Sequence, residues 1–213
     1  MLRVKTFTFN AFQENTYLII NDSGSCWIVD PGMYDSFETK ELLGYIAKEG
    51  LNPVAVVNTH AHLDHIFGVE ACKDAYKIPF HVHQAELPVL KNAKISAQLY
   101  GFQLSEEPKA DHWITPGFMD FEGEEVEIRL TPGHSPGSVV FYYKSGGWCV
   151  AGDVLFQGSI GRTDLPGGNH ETLMNSISSQ MLTLPDDTII YPGHGPSTTI
   201  NDEKRFNPFL QDL

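Results

Sequence analysis

The sequence has no apolar run approaching the roughly 20 residues that cross a bilayer, so a membrane-spanning helix is not expected. Cysteine is sparse: Cys26, Cys72 and Cys149 are an odd number, far apart, with no C-x-x-C pair. That argues against a disulfide framework or a thiolate zinc site. It suits buried thiols in a reducing compartment, with the cytoplasm as the expected location. Basic charge is scarce as well. Lys and Arg number 14 against 27 Asp and Glu, a net charge of −13. A surface of that sign repels phosphate backbones and anionic lipid, so neither nucleic acid nor a membrane is an expected partner. The opening residues, Met1 to Asn10, lack an extended apolar segment and a small-residue cleavage site, and read as mature sequence. Repeats, linkers and low-complexity tracts are missing too.

What is present suffices for one core. A chain of 213 residues, 41% hydrophobic and 19% charged, is expected to fold as a single domain over 1–213. Residues 2–9, 16–20 and 26–29 are rich in β-branched and aromatic types, with Asn21-Asp22-Ser23-Gly24 as a hairpin turn. Over 36–49 the period changes. Phe37, Leu42, Leu43, Ile46 and Ala47 share a helical face, with Ser36 as the expected N-cap and Gly50 as the stop. The apolar run 54–58 reads as a strand covered on both faces. Further strands are expected at 79–82, 125–130, 139–143, 148–151 and 188–190. Helices are expected up to about Tyr76, over 84–104 (interrupted at Pro88 and Gly101), over 169–182 and briefly at 202–206. Hairpins at the start and in the middle favour an α+β fold with two sheets packed face to face and helices outside. A doubly wound parallel sheet would need a crossover between every pair of neighbours.

Four metal-ligating side chains, His60, His62, Asp64 and His65, fall within six residues directly after the 54–58 strand. Imidazole and carboxylate without sulfur is a donor mixture for zinc, iron or manganese. A lone histidine at a strand end is usually a packing residue, and Asp64 alone could cap the next helix. Four donors together would make that explanation a run of coincidences. Three later segments repeat the grammar: Thr131-Pro132-Gly133-His134, Ala151-Gly152-Asp153 and Tyr191-Pro192-Gly193-His194. Proline fixes φ and glycine allows close backbone approach, so these loops hold a side chain with little freedom left to lose on binding. His81 and His83 form a second His-x-His, but without an adjacent acid or a rigid loop they read as structural, and His112 reads as surface.

The pattern T-H-x-H-x-D-H, followed by isolated His, Asp and His in such loops and preceded by Asp30-Pro31-Gly32, resembles the metallo-β-lactamase superfamily over residues 12–196. The resemblance implies a four-layer αββα sandwich with metals at one edge of the two sheets. It implies two divalent ions, zinc first, with iron or manganese as alternatives. His60, His62 and His134 would hold one, Asp64, His65 and His194 the other, and Asp153 would bridge. Asp64 and Asp153 are then catalytic as well as ligating, and Asp30 is implied to orient a metal-bound histidine. A water shared by two such ions has its pKa lowered toward about 7. The implied enzyme is therefore a hydrolase of a small molecule that attacks with hydroxide and needs no protein nucleophile.

Within the superfamily, segments 131–137, 158–170 and 203–209 are similar to the short bacterial glyoxalase II-like (hydroxyacylglutathione hydrolase-like) proteins, which cleave acyl thioesters such as S-lactoylglutathione. Gly161-Arg162-Thr163-Asp164 is equally similar to persulfide dioxygenases, which use one iron on the counterparts of His60, His134 and Asp153. Hydrolysis of another ester or lactone is the remaining alternative. Aspartate at 153, where zinc β-lactamases usually carry cysteine, argues against β-lactam hydrolysis, and the acidic charge argues against a nuclease. With 19 residues after His194, no counterpart is expected of the helical domain that holds glutathione in full-length glyoxalase II. Arg162 is then the expected partner of a substrate carboxylate, with a salt bridge to Asp164 as its competing role. His170 is an expected pocket residue, and Phe12, Tyr100, Phe102 and Phe156 could shape the pocket or pack the core.

Overall fold

The computed structural model describes residues 1–211. The chain divides into two compact units, Met1–Ile114 and a second that starts at Thr115.

The first unit is built on a six-stranded mixed sheet whose strands lie in chain order. β1 (Arg3–Phe9), β2 (Glu14–Ile20) and β3 (Ser25–Val29) pair antiparallel. β4 (Asn52–Val57), β5 (Phe80–His83) and β6 (His112–Ile114) continue the sheet in parallel. Each parallel step needs a crossover, and each crossover carries helix. α1 (Ser36–Lys48) joins β3 to β4, and α2 (Val69–Tyr76) joins β4 to β5. α3 (Leu87–Lys91) and α4 (Ala93–Leu99) join β5 to β6. Leu42 and Ile46 on one face of α1 meet Leu18, Ile28, Val56 and Phe80 in a core with almost no exposure. Truncating either to alanine should cost about 2–5 kcal/mol.

Two expectations are corrected here. The N-cap of α1 is Asp35, not Ser36: its carboxylate accepts from Phe37 N and Glu38 N at 2.8 and 2.9 Å. A carboxylate takes two N–H donors and complements the positive helix end, so it outcompetes the serine next to it. The stretch 84–104 is not one helix broken at Pro88. Gln84–Glu86 is a 3₁₀ turn, and Pro88 sits in the first turn of α3, where its missing N–H costs nothing. The break falls at Asn92, and the helix ends before Gly101, whose φ is +78°.

The second unit has its own six-stranded sheet. β7 (Gly117–Phe121), β8 (Glu124–Leu130), β9 (Val139–Tyr143) and β10 (Trp148–Gly152) form an antiparallel meander. β11 (Leu155–Phe156) and β12 (Ser159–Ile160) make a separate small hairpin. A crossover through α5 (His170–Ser176) leads to β13 (Ile189–Pro192), which pairs parallel with β10. β14 (Thr198–Thr199) closes the sheet and leads into α6 (Ile200–Phe206). The expected helix 169–182 keeps α-geometry only as far as Ser176, and Ile177–Met181 is wound as a π-helix. Leu173, Ile177 and Met181 pack on Val140, Cys149 and Ile190.

All three cysteines are buried free thiols. Burial pushes the Cys26 thiol up to about 12 and raises Cys72 and Cys149 as well, which makes all three poor nucleophiles. Among the described residues no helix is long and apolar enough to cross a membrane.

Candidate metal centre

β4 delivers the chain to Asn58, and the ligand loop follows at the carboxyl end of this parallel strand, a usual place for functional groups in such sheets. The loop is closed on itself. Asn58 Nδ2 donates to the carbonyls of His60 (3.2 Å) and His65 (2.8 Å), and all three residues are buried. The His60 ring lies 4.8 Å from that of His62 and 4.2 Å from that of His65. Asp30, His60 and His65 each offer a ligand atom, and these atoms lie within 4.8 Å of one another.

Asp30 organises the loop from outside. Its backbone is left-handed, with φ +49°, a conformation aspartate tolerates better than most residues. One carboxylate oxygen accepts from Thr59 N (2.7 Å). The other accepts from the Thr59 hydroxyl (2.6 Å) and lies 3.2 Å from His65 Nδ1. Because the Thr59 proton is given to Asp30, the hydroxyl oxygen is left to accept from His60 Nδ1 at 3.0 Å. One buried carboxylate thereby sets the tautomer of two histidines, protonated at Nδ1.

Four further polar residues brace the loop. Glu86, fully buried, accepts from Ala61 N at 2.9 Å. Asn10 Nδ2 donates to the carbonyls of Gly32 (2.9 Å) and Asp64 (3.1 Å). The Thr16 hydroxyl accepts from Gly32 N and lies 2.9 Å from both Glu14 and the Asp30 carbonyl. Glu14 stands with one oxygen 3.7 Å from His65 Nδ1. Burial raises its carboxyl well above the usual range, and the His65 ring opposes this. Gly32 has no substitute: a Cβ there would run into the Glu14 carboxylate and the Asp64 carbonyl.

In the second unit His134 follows the turn after β8, Asp153 follows β10 and His194 follows β13. His134 Nδ1 lies 2.8 Å from the carbonyl oxygen of Arg162. A carbonyl can only accept, so Nδ1 carries the proton here too and Nε2 is left with its lone pair. Nε2 of His134 and Nε2 of His194 each lie 3.5 Å from Asp153 Oδ2. In the first unit His65 Nε2 lies 3.7 Å from Asp64 Oδ2.

An Nε2 lone pair facing a carboxylate oxygen, as at His65 and His134, sets two acceptors against each other, an arrangement a cation between them resolves. The donor set therefore fits a divalent metal, and within each unit the expected ligands converge. His62 joins its set through the contact with the His60 ring.

The remaining candidates stand elsewhere. Arg162 is exposed and forked onto Asp164 by two 2.7 Å bonds, which holds the Asp164 carboxyl down at about 2. His170 is the exposed first residue of α5, capped by Asn169. His81 stacks beside His112 at 4.8 Å, and burial, then His112, lowers its pKa. His83 accepts from Ala85 N at 3.3 Å. Asn10, Glu14, Asn58 and Glu86 were not among the candidates read from the sequence. The one local hint is their type: a glutamate opening a wholly buried strand, and an asparagine ending an apolar one.

The model of the metallo-beta-lactamase superfamily matches residues 9–194. "Probable metallo-hydrolase YqgX" of Bacillus subtilis is 44% identical, over 93% of this chain and 92% of its own length. "Hydroxyacylglutathione hydrolase GloC" of Haemophilus influenzae is 35% identical over 98% of each. Among solved structures, the BLEG-1 B3 metallo-beta-lactamase matches at a TM-score of 0.91 and 40% identity, over 98% of this chain and 99% of its own. TTHA1623, solved in a di-iron-bound form, matches at 0.88 and 37%, over 97% of this chain and 100% of its own.

Proposed function

The chain belongs to the metallo-beta-lactamase superfamily of metal-binding hydrolases and has its α+β fold, and from that premise we propose that it is a binuclear metallohydrolase cleaving small acyl thioesters such as S-lactoylglutathione. The observation that carries the metal reading is the protonation pattern: His60, His65 and His134 each bond through Nδ1 and are left with a lone pair on Nε2. The substrate class draws support from GloC, at 35% identity over nearly its full length.

The proposed arrangement treats 1–213 as one domain, supported by a family match that runs unbroken across the junction at Thr115. His60, His62 and His134 would hold one ion, Asp64, His65 and His194 the other, and Asp153 both. Zinc is the first choice for this nitrogen and oxygen set, with iron and manganese as alternatives. Iron gains support from the di-iron TTHA1623. Two such ions supply a Lewis acid for an acyl oxygen and a hydroxide at neutral pH.

The chain's own residues do the positioning. Asp30 and Thr59 fix His65 and His60, the Arg162 carbonyl fixes His134, and none of the three can swing without breaking a hydrogen bond. A thiol leaves readily as thiolate, with an ordinary pKa of about 8.5. Thioester cleavage therefore needs no protein acid to protonate the leaving group, whereas the nitrogen released from a lactam has to gain a proton. The buried thiols are consistent with a cytoplasmic enzyme.

The name of BLEG-1, 40% identical to this chain, makes β-lactam opening the second reading. The test presents S-lactoylglutathione, glutathione persulfide and a chromogenic cephalosporin side by side, with and without oxygen. Thiol release independent of oxygen is the expected result. Oxygen uptake without thioester cleavage would assign a dioxygenase, and cephalosporin opening alone would assign a lactamase.

A further inference from the structure

A pocket of about 800 Å³ lies in the first unit, lined chiefly by Tyr34, Lys94, Gln98, Phe102, Gln103 and Ser105. That volume is in the range of small-molecule sites. Its aromatic wall grows out of the ligand loops. Tyr34 stands four residues after Asp30, and its ring lies 4.8 Å from Phe67, two residues after His65. Phe102 meets Tyr34 edge-on at 5.0 Å and packs against Phe67 at 5.2 Å and Phe12 at 5.3 Å. The Tyr34 hydroxyl accepts from Gln103 N at 3.2 Å, which ties the rim to the wall. Asn10, bonded to both Gly32 and Asp64, locks together the two loops that carry Tyr34 and Phe67.

The helical wall of the pocket is locally basic, and the acids Glu106 and Glu107 lie just beyond Ser105. Residues 87–104 contain Lys91 and Lys94 and no Asp or Glu, in a protein of net charge −13. Lys94 lines the pocket, and among the described residues no carboxylate pairs with it. Arg162, in contrast, already spends its fork on Asp164, so a ligand carboxylate would have to displace that pair to use it. The polar complement of the pocket is one ammonium, two carboxamides and the hydroxyls of Tyr34 and Ser105, set against aromatic rings.

We propose that this pocket is the subsite for the thiol half of the substrate, and that this half is peptide-like and carries a carboxylate. Lys94 receives the carboxylate, Gln98 and Gln103 meet amide groups, and Tyr34 and Phe102 cover the apolar stem. The proposal rests on the thioesterase reading. These contacts lie away from the scissile bond and serve ground and transition states alike, so their loss raises KM more than it lowers kcat.

The test separates the pocket from the reaction. Binding of S-hexylglutathione, which cannot be cleaved, is measured by calorimetry on the purified protein, on Lys94→Met, on Lys94→Arg and on Lys91→Met as the control. Kinetics are run with S-lactoylglutathione and with the neutral lactoyl thioester of N-acetylcysteamine. Lys94→Met should weaken S-hexylglutathione binding about fivefold, and Lys94→Arg should restore most of it. Lys91→Met should change nothing. Lys94→Met should also raise KM several-fold more for the anionic thioester than for the neutral one. The affinity of the wild-type protein should fall with added salt.

No binding by the wild-type protein, or equal binding by Lys94→Met, overturns the pocket assignment even if thioesters are cleaved. Lys94-dependent binding without cleavage of either thioester upholds the pocket and overturns the reaction instead.

Discussion

His60 and His65 are oriented by Thr59 and Asp30, side chains buried in the first unit, whereas His134 is oriented by the carbonyl of Arg162, a main-chain atom of the second. The same chemical result, a proton on Nδ1 and a lone pair on Nε2, is thus reached by two routes with different sensitivities. A side-chain support is lost with one substitution. A main-chain support is indifferent to the residue that supplies the carbonyl, but it depends on the path of the backbone. That path is tight at Gly161, where a Cβ would run into the Asp153 carbonyl and press on His134 Cβ.

The sharpest way to break the comparison is Asp30→Asn. The amide keeps an acceptor for Thr59 N but turns a donor toward His65, which favours the wrong tautomer. Metal affinity should fall about 10–100-fold, as read by competition with a chromogenic chelator. Arg162→Ala is the matching change in the second unit and should leave metal affinity as it is, because only the carbonyl is used. Gly161→Ala comes next. It should cost about 1–3 kcal/mol of stability, visible as a lowered Tm, because the second unit has to move backbone to admit one methyl. Glu86→Ala removes the buried acceptor of Ala61 N–H and should cost about 1–3 kcal/mol as well. At the small end, His83→Ala should change neither metal content nor activity, since the His83 ring does no more than accept from Ala85 N.

The candidate ligands could be picked out of the sequence because each sits in a short motif whose spacing is local: strand, turn, donor. The braces were not. Asn10 reaches Asp64 across 54 positions, Thr59 reaches Asp30 across 29 and Glu86 reaches Ala61 across 25. Only Asp30 of these was named, and only through the family resemblance. A buried glutamate in the run Glu14–Ile20 reads as a strand end until its neighbours in space are known.

The same distinction governs the secondary structure. The long amphipathic segment Ser36–Lys48 and the β-branched strands were found within a residue or two. β6, β11, β12 and β14 are two or three residues long, too short to show an alternation, and β7 is broken by exposed residues. The cap at Asp35 and the break at Asn92 were missed for another reason. At Asp35 and Ser36 two adjacent residues compete for one cap and the stronger hydrogen bonds decide, whereas at Asn92 neither a proline nor a glycine marks the break.

The central proposal is that His60, His62 and His134 hold one ion, that Asp64, His65 and His194 hold a second, and that Asp153 serves both. Elemental analysis of metal-replete protein tests it most directly. The account predicts two ions per chain in the wild-type protein and at most one in Asp153→Ala, with activity lost in parallel. Two ions retained in Asp153→Ala, or no more than one in the wild-type protein after reconstitution, would contradict it.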